Sequence, residues 1–273
     1  MSKVFICTPH ARPVEPSVTR HLLTMLQQPE VVGKHEFLFS EVDSFVVGKA
    51  RNMIVESTNL HEADVLLWVD DDILVPAHAH RLIDGALDRG IMSGIYVARN
   101  SPYTPQMYKY AEGDKIKEEY KDRKVYWPIL EWDEENIFEV DAIGFGLCAI
   151  RRDVFDTMAK FHAGLFEEAS NILYHEGIGD TLDHIAEIVR NLSPWFEFLN
   201  SKGEDMYWSE RAKEADFKLW VDPKVSAGHI GSTPLVLEHF FYLRDNGLIQ
   251  QEEDGQVVLL EEPPAEVEEE VLT

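Results

Sequence analysis

The sequence predicts an α/β fold: a Rossmann-like half built on a parallel sheet, followed by a half with a mixed sheet. Over the first 100 residues, short apolar runs rich in β-favouring side chains alternate with segments of helical period, the pattern of strand-helix-strand units with right-handed crossovers. The run Val65-Leu66-Leu67-Trp68-Val69, too short for a helix, ends abruptly in Asp70, Asp71 and Asp72. Charge therefore collects at the C-terminal end of a buried strand, where open α/β sheets bind ligands. From residue 101 onward the alternation gives way to short polar-aromatic runs separated by Gly, Asp and charged clusters, which read as hairpins.

Whole-chain properties bound the function. A chain of 273 residues with 45% hydrophobic content can bury a sizeable core. Its net charge of −25 argues against a broad basic face for nucleic acid or anionic membrane. Cys7 and Cys148 lie in apolar runs and read as buried thiols, not a disulfide framework. The first residues lack the apolar core of a signal peptide, and no run approaches the roughly eighteen apolar residues of a membrane span. A soluble, cytoplasmic protein is expected.

In chain order, residues 3–8 read as a central strand that Pro9 and Pro13 turn into a loop. Val18, Leu22, Met25 and Leu26 mark one face of a helix over 17–28; residues 36–42 form a second strand. Ala50, Met53, Ile54 and Ser57 share a face of the next helix, which carries Arg51 and Asn52. After the aspartate strand come a helix over 77–89 capped by Gly90 and a strand over 91–98. No Gly-x-Gly-x-x-Gly follows the first strand, which disfavours a dinucleotide dehydrogenase. Short strands are expected at 106–110, 124–127 and 136–140, then a strand over 140–152 interrupted by Gly144 and Gly146. Glycines there mark either a bulge or a close approach by a ligand or another backbone. Residues 161–190 read as a helical insertion, 203–215 as a helix, 217–221 and 225–229 as strands, and 234–243 as a helix. Residues 251–273 hold nine acidic side chains and no basic ones, the composition of a solvated tail.

The candidate chemistry lies in three places. Asp70 and Asp72 are two residues apart, so an extended backbone would send both to one side and Asp71 to the other. Two hard oxygen ligands on one side suit Mg²⁺ or Mn²⁺, and such a metal usually bridges to phosphate. A plain turn with Asp72 as helix cap is the bland alternative, weakened because adjacent carboxylates repel without a cation. Glu204 and Asp205 open a helix, where its dipole alone would favour acidic residues. His229 sits near Gly228 and Gly231, which leave room for close approach; a merely packed histidine is as good a reading.

The order of these motifs resembles the GT-A glycosyltransferases, and within them the family 2-like enzymes of phages and bacteria. The matching pieces are Thr8-Pro9, Ala50-Arg51-Asn52, Val69-Asp70-Asp71-Asp72-Ile73 as a DxD element, Gly144-Phe145-Gly146, Gly203-Glu204-Asp205, and Val221-Asp222-Pro223 leading to Gly228-His229. The resemblance implies a GT-A fold with a nucleotide-sugar-binding half (1–100), an acceptor-binding half (101–250) and the acidic tail (251–273). It implies that Asp70 sits near the nucleotide ribose, with Asp70 and Asp72 at the metal and His229 as a further ligand for Mn²⁺ or Mg²⁺. Thr8, Pro9 and the loop through Arg12 would border the nucleobase, with Glu41 at the end of the second strand, and Arg51, Asp71 and Gly144 would contact the nucleotide sugar. Asp205 would be the general base of an inverting transfer, with Glu204 as the runner-up. The donor would be a nucleoside diphosphate sugar, a UDP-sugar first among them, and the acceptor a hydroxyl. A nucleic-acid acceptor is compatible with the resemblance and disfavoured by charge. The Ala-Arg-Asn helix before Leu-Trp-Val-Asp-Asp-Asp-Ile also looks like the retaining mannosyltransferases of the Anp1 type. A nucleotidyltransferase and a non-catalytic nucleotide- or carbohydrate-binding module remain open as alternatives.

Overall fold

The computed structural model describes residues 1–11, 13–44, 46–57, 63–100, 102–111, 125–175, 195–198, 202–231, 234–252 and 255–260, with backbone alone for 165–175 and 234–235. Its first half is Rossmann-like. Strand β1 (Ser2–His10), helix α1 (Pro16–Leu26), β2 (His35–Asp43), α2 (Val47–Ser57) and β3 (Val65–Val69) give three parallel strands in the spatial order β2-β1-β3. β1 runs two residues beyond its expected end. Past Cys7 it has lost β3 and keeps only β2, so it is an edge there, where Pro9 is tolerated without an N–H to donate.

After β3 the chain makes the short β4 (Ile73–Leu74), α3 (His80–Arg89) and β5 (Ile91–Ile95); Gly90 ends α3 at φ 92°. The second half adds β6 (Met107–Tyr110), β7 (Tyr126–Pro128), β8 (Phe138–Val140), β9 (Ala142–Ile143), β10 (Leu147–Arg151) and α4 (Arg152–His175). It continues with α5 (Glu204–Glu214), β11 (Leu219–Ser226), β12 (Gly228–Ile230), β13 (Pro234–Leu235), α6 (Leu237–Asp245), β14 (Ile249–Gln251) and β15 (Val257–Leu259). The seven-stranded sheet runs β2-β1-β3-β10-β5-β11-β8. β10 lies antiparallel between β3 and β5, and β11 is parallel to β5 and antiparallel to β8. This Rossmann-like half joined to a mixed-sheet half is the arrangement that the GT-A resemblance implies. The simple parallel succession of the first four strands is corrected in one respect, since β10 separates β5 from β3.

Both faces of the sheet are buried, which is why β3 reads as a continuous apolar run. Leu66 and Trp68 face a cluster with Phe145, Phe155, Phe196 and Trp208, whereas Val65, Leu67 and Val69 face α1 and α3 through Leu22, Met25, Leu82 and Ile83. Cys7 and Cys148 are free, buried, and in register with Trp68 from opposite sides. Two strand spacings, about 9–10 Å, separate them, too far for a disulfide.

Three further expectations change. The helical insertion is continuous with α4, which starts at Arg152, while residues 176–194 lie outside the described residues. The strands expected at 217–221 and 225–229 are largely one, β11, with a register shift between Val221 and Ser226. The start of the acidic tail is a hairpin, β14–β15, since Val257, Val258 and Leu259 supply the apolar residues that the composition of 251–273 as a whole conceals. Residues 261–273 of that tail lie outside the described residues. Among the described residues, no helix is long and apolar enough to cross a membrane.

Gly94 marks a close contact between β5 and β11. A Cβ there would stand 2.9 Å from the Val225 carbonyl oxygen and 3.1 Å from its Cγ1. Gly94→Ala is expected to cost about 1–3 kcal/mol, read by urea denaturation, because backbone of β11 must move to admit the methyl group. An unchanged midpoint would mean that β5 and β11 are not packed this closely.

Candidate active site

At the C-terminal ends of β1, β2 and β3 lies a cleft of about 520 Å³. Pro9, His10 and Ala11 line it from the end of β1, Ser44 from beyond β2, and Val47 and Arg51 from α2. Asp70 and Asp71 follow β3, Arg99 follows β5, and Glu204 and Asp205 open α5. The position is the one that open α/β sheets reserve for ligands.

Arg51 organises the floor of this cleft. Its guanidinium is 2% exposed. Nη1 donates to Glu204 Oε1 and Asp205 Oδ1, each at 2.5 Å, and Nη2 to the two oxygens of Asp70 at 3.0 and 3.2 Å. The rings of Phe145 and Phe196 lie 5.2 and 5.9 Å from its Cζ. Burial works against the charge, but Asp205, Asp70 and Glu204 more than offset it and hold the group protonated. The next residue fixes the helix: Asn52 donates to the Phe196 carbonyl at 2.6 Å and accepts the Phe196 N–H at 3.1 Å. Arg51 was expected to reach the nucleotide. It lines the cleft, and both of its Nη groups bind carboxylates.

The three carboxylates differ in exposure and charge. Asp205 is 26% exposed, and its Oδ2 also accepts the Phe145 N–H at 3.3 Å. Glu204 is only 10% exposed. Burial, then the neighbouring Asp205, pushes its carboxyl up to about 7 against the opposing pull of Arg51. Burial also raises Asp70, which Arg51 counters; at 28% exposure, water in the cleft moderates that rise.

The aspartates after β3 form a turn and not an extended segment: the Ile73 N–H donates to the Asp70 carbonyl at 3.2 Å. The turn corrects the expected alternation. Asp70 and Asp71 line the cleft, while Asp72 turns inward and is 0% exposed. β12 pairs antiparallel with β4, setting His229 opposite Ile73, and the Ile230 N–H donates to the Asp72 carbonyl at 2.8 Å. Backbone pairing thus carries His229 across the chain to Asp72, with Nε2 3.3 Å from Oδ1. The other ring nitrogen, Nδ1, lies 2.7 Å from the Val97 carbonyl and donates to it. Arg99 closes the group: its Nε donates to His229 Nε2 at 2.9 Å, and its Nη2 pairs with Asp72 Oδ2.

Asp72 and His229 fit a divalent cation. A carboxylate oxygen and an imidazole nitrogen 3.3 Å apart suit adjacent ligands that each bind at about 2.1 Å. The Nδ1–H bond to a backbone carbonyl leaves the Nε2 lone pair outward, as metal-binding histidines require. The Arg99 guanidinium shows that this pair accepts positive charge. Asp70, expected at the metal, faces Arg51 instead. Among the described residues no group of three His, Cys, Asp or Glu side chains forms a cage, so a cation here would complete its shell with phosphate oxygens and water, as Mg²⁺ and Mn²⁺ commonly do.

The other sequence candidates divide. Pro9 lines the cleft; Thr8 is buried beneath it, 4% exposed. Glu41 pairs in register with Thr8 but is exposed and outside the lining. Arg12 lies outside the described residues. Gly144 lies outside the cleft lining: a Cβ there would collide with the Tyr96 hydroxyl, and one at Gly146 would stand 2.6 Å from Tyr96 Cζ. The two glycines make room for the Tyr96 ring, whose hydroxyl accepts the Gly146 N–H at 2.9 Å. His10 and Ala11, in the loop expected to border the nucleobase, line the cleft, whereas Ser44, Val47 and Arg99 do so without having been marked by the sequence. His10 ends β1 and Ser44 follows β2, a usable signal; Arg99 sits in a bend after β5 that no motif marks.

No protein-family model matches the chain, and no curated protein matches it. Among solved structures it is similar to A197 from STIV at 13% identity and a TM-score of 0.47, covering 99% of this chain and 100% of that one. It is also similar to GalNAc-T7, crystallised with UDP, GalNAc and Mn²⁺, at 11% identity and a TM-score of 0.48, covering 90% of this chain and 48% of that one. The catalytic domain of Drosophila beta1,4galactosyltransferase 7, in complex with xylobiose, aligns at 16% identity and a TM-score of 0.30, over 58% of this chain and 52% of that one. Likenesses this distant say nothing about substrate or mechanism.

A carboxyl raised by folding stabilises the protein fully below its unfolded value and loses that contribution as pH rises through the folded one. Glu204 therefore makes stability fall between its ordinary 4.5 and about 7, by at most about 3 kcal/mol. In chemical denaturation at pH 5 and pH 8, Glu204→Gln is expected to flatten this decline; an equally steep decline in the variant would assign the titration elsewhere.

Proposed function

We propose that this chain is a metal-dependent GT-A-type glycosyltransferase, moving a sugar from a nucleoside diphosphate sugar to a hydroxyl acceptor, with a UDP-sugar as the first donor to test. One observation carries the reading. Arg99, in the wall of a cleft at the ends of three parallel strands, contacts a buried Asp72–His229 pair with cation-binding geometry, and a separate carboxylate pair at a helix start lines the same cleft.

The charge balance supports it. Asp70, Asp71, Glu204 and Asp205 line the cleft against Arg51 and Arg99, with Asp72 directly beneath. A diphosphate alone would be repelled by this excess of carboxylates, whereas one that arrives with a divalent cation is not. Asp72 and His229 would hold that cation, which acts as a Lewis acid toward the departing diphosphate. Asp71, at the cleft wall, and Asp70 would border the donor; an acidic side chain is well suited to accept ribose hydroxyl bonds. Pro9, His10 and Ser44, which line the cleft near the ends of β1 and β2, would border the base of the nucleotide.

Asp205 is the general base in this reading, since its carboxylate reaches the cleft and Glu204 is largely covered. It takes the proton of the acceptor hydroxyl as that oxygen bonds to the anomeric carbon; the bond from carbon to diphosphate breaks, and its electron pair leaves with the diphosphate. Arg51 positions the base through its 2.5 Å bond to Oδ1. A single displacement of this kind inverts the anomeric configuration.

A panel of nucleoside diphosphate sugars tested by thermal denaturation is expected to raise the melting temperature by about 5–10 °C at 100 times Kd, only when Mn²⁺ or Mg²⁺ is present. A panel without any metal-dependent shift would end the transferase reading. Asp205→Asn is expected to lower turnover by roughly 10²–10⁴ while keeping that shift. Turnover unchanged in the variant, or a product with retained anomeric configuration by NMR, would remove Asp205 as an inverting base.

A further inference from the structure

We propose that Arg99 is a built-in competitor for the metal position, so that the cation and the diphosphate bind as a coupled pair and not independently. The inference deepens the transferase reading and rests on it. Its basis is one lone pair. His229 Nδ1 donates its hydrogen to the Val97 carbonyl at 2.7 Å, so Nε2 carries the ring's one available lone pair. Arg99 Nε, which can only donate, takes that lone pair at 2.9 Å. A cation ligated by His229 would need the same electrons. Arginine and metal therefore exclude each other at this atom, and they compete again at Asp72 Oδ2, where Arg99 Nη2 pairs.

The two partners differ in freedom to move. Asp72 is 1% and His229 11% exposed, and both are fixed by backbone pairing, whereas the Arg99 side chain is 48% exposed and lines the cleft. Displacement thus falls to Arg99. Its turn is anchored at its base by the Ala98 N–H to the Thr104 carbonyl at 2.9 Å and by a bridge between Val97 and Pro105, so the guanidinium can swing while its Cα stays beside the cleft. A cation arriving alone gains two ligands and breaks the two arginine contacts. One arriving with a diphosphate gives the released guanidinium new oxygens to bind, for which its planar fork is suited. Metal and nucleotide each favour the other's binding by the same factor, as linkage requires.

The test is Mn²⁺ binding followed by electron paramagnetic resonance of the free ion, with the full chain, in the presence and absence of UDP and, in parallel, GDP. Wild-type protein is expected to bind Mn²⁺ alone weakly and at least tenfold more tightly with the matching nucleotide. In Arg99→Met the affinity for Mn²⁺ alone rises at least tenfold, and the enhancement by nucleotide shrinks toward onefold. Arg99→Lys, which keeps the charge and loses the fork, falls between the two and serves if the methionine variant does not fold. Equal or weaker binding of Mn²⁺ alone in both variants overturns the competition while leaving the metal site standing. If none of the proteins binds Mn²⁺ under any condition, the metal-dependent transferase reading falls, and the proposal falls with it.

Discussion

One buried positive charge holds the site together. Taking a guanidinium out of water costs several kcal/mol unless its donors are answered, and Arg51 is answered by carboxylates from the end of β3 and the start of α5, 19 and about 150 residues away in sequence. Asp70 and Glu204 in turn depend on Arg51, because burial and the neighbouring Asp205 carboxylate push both toward protonation and the guanidinium opposes this. The interaction therefore locks α2, the strand end and α5 into one geometry. Phe145 and Phe196 cover the guanidinium, and Asn52 ties Phe196 to the same helix.

A division of labour follows among three adjacent aspartates. The turn at 70–72 sends Asp70 to Arg51, Asp71 to the cleft wall and Asp72 inward to His229. Neighbours in the chain thus serve two cationic centres, both occupied by arginine side chains. The first is a buried arginine that never leaves. The second is the Asp72–His229 position, which Arg99 fills from the solvent side.

Local periodicity made much of this legible. The five-residue apolar run, the early helices and the acidic opening of α5 follow from side-chain pattern, and residues 65–69 read as buried on both faces because they are. The aspartate turn was misread because alternation holds only while the backbone stays extended, and three residues give no sign of where it stops. The glycines at 144 and 146 were legible as a place of close approach, but the visitor is Tyr96, some fifty residues upstream, and no local pattern names a partner at that distance. Arg51 stood out as a charge in an amphipathic helix; that it would be consumed by three acids depends on tertiary pairing. The hairpin at 249–259 was masked by the acidic average of the segment, within which a few valines and leucines suffice to pair two short strands.

The place of β10 governs how the chain can assemble. β3 gains its second neighbour only from residues 147–151, and β5 is joined to the β2-β1-β3 part of the sheet through the same strand. During synthesis, then, the first hundred residues emerge with the apolar flank of β3 bare and with no local segment able to cover it, an exposure of the kind that invites wrong pairings before the right one is available. Loop closure over some eighty residues precedes completion of the sheet, which makes its formation a late, long-range event. The first half is consequently not a portable module: cut away from the middle of the chain, it would lose the neighbour that completes the strand from which the aspartates follow.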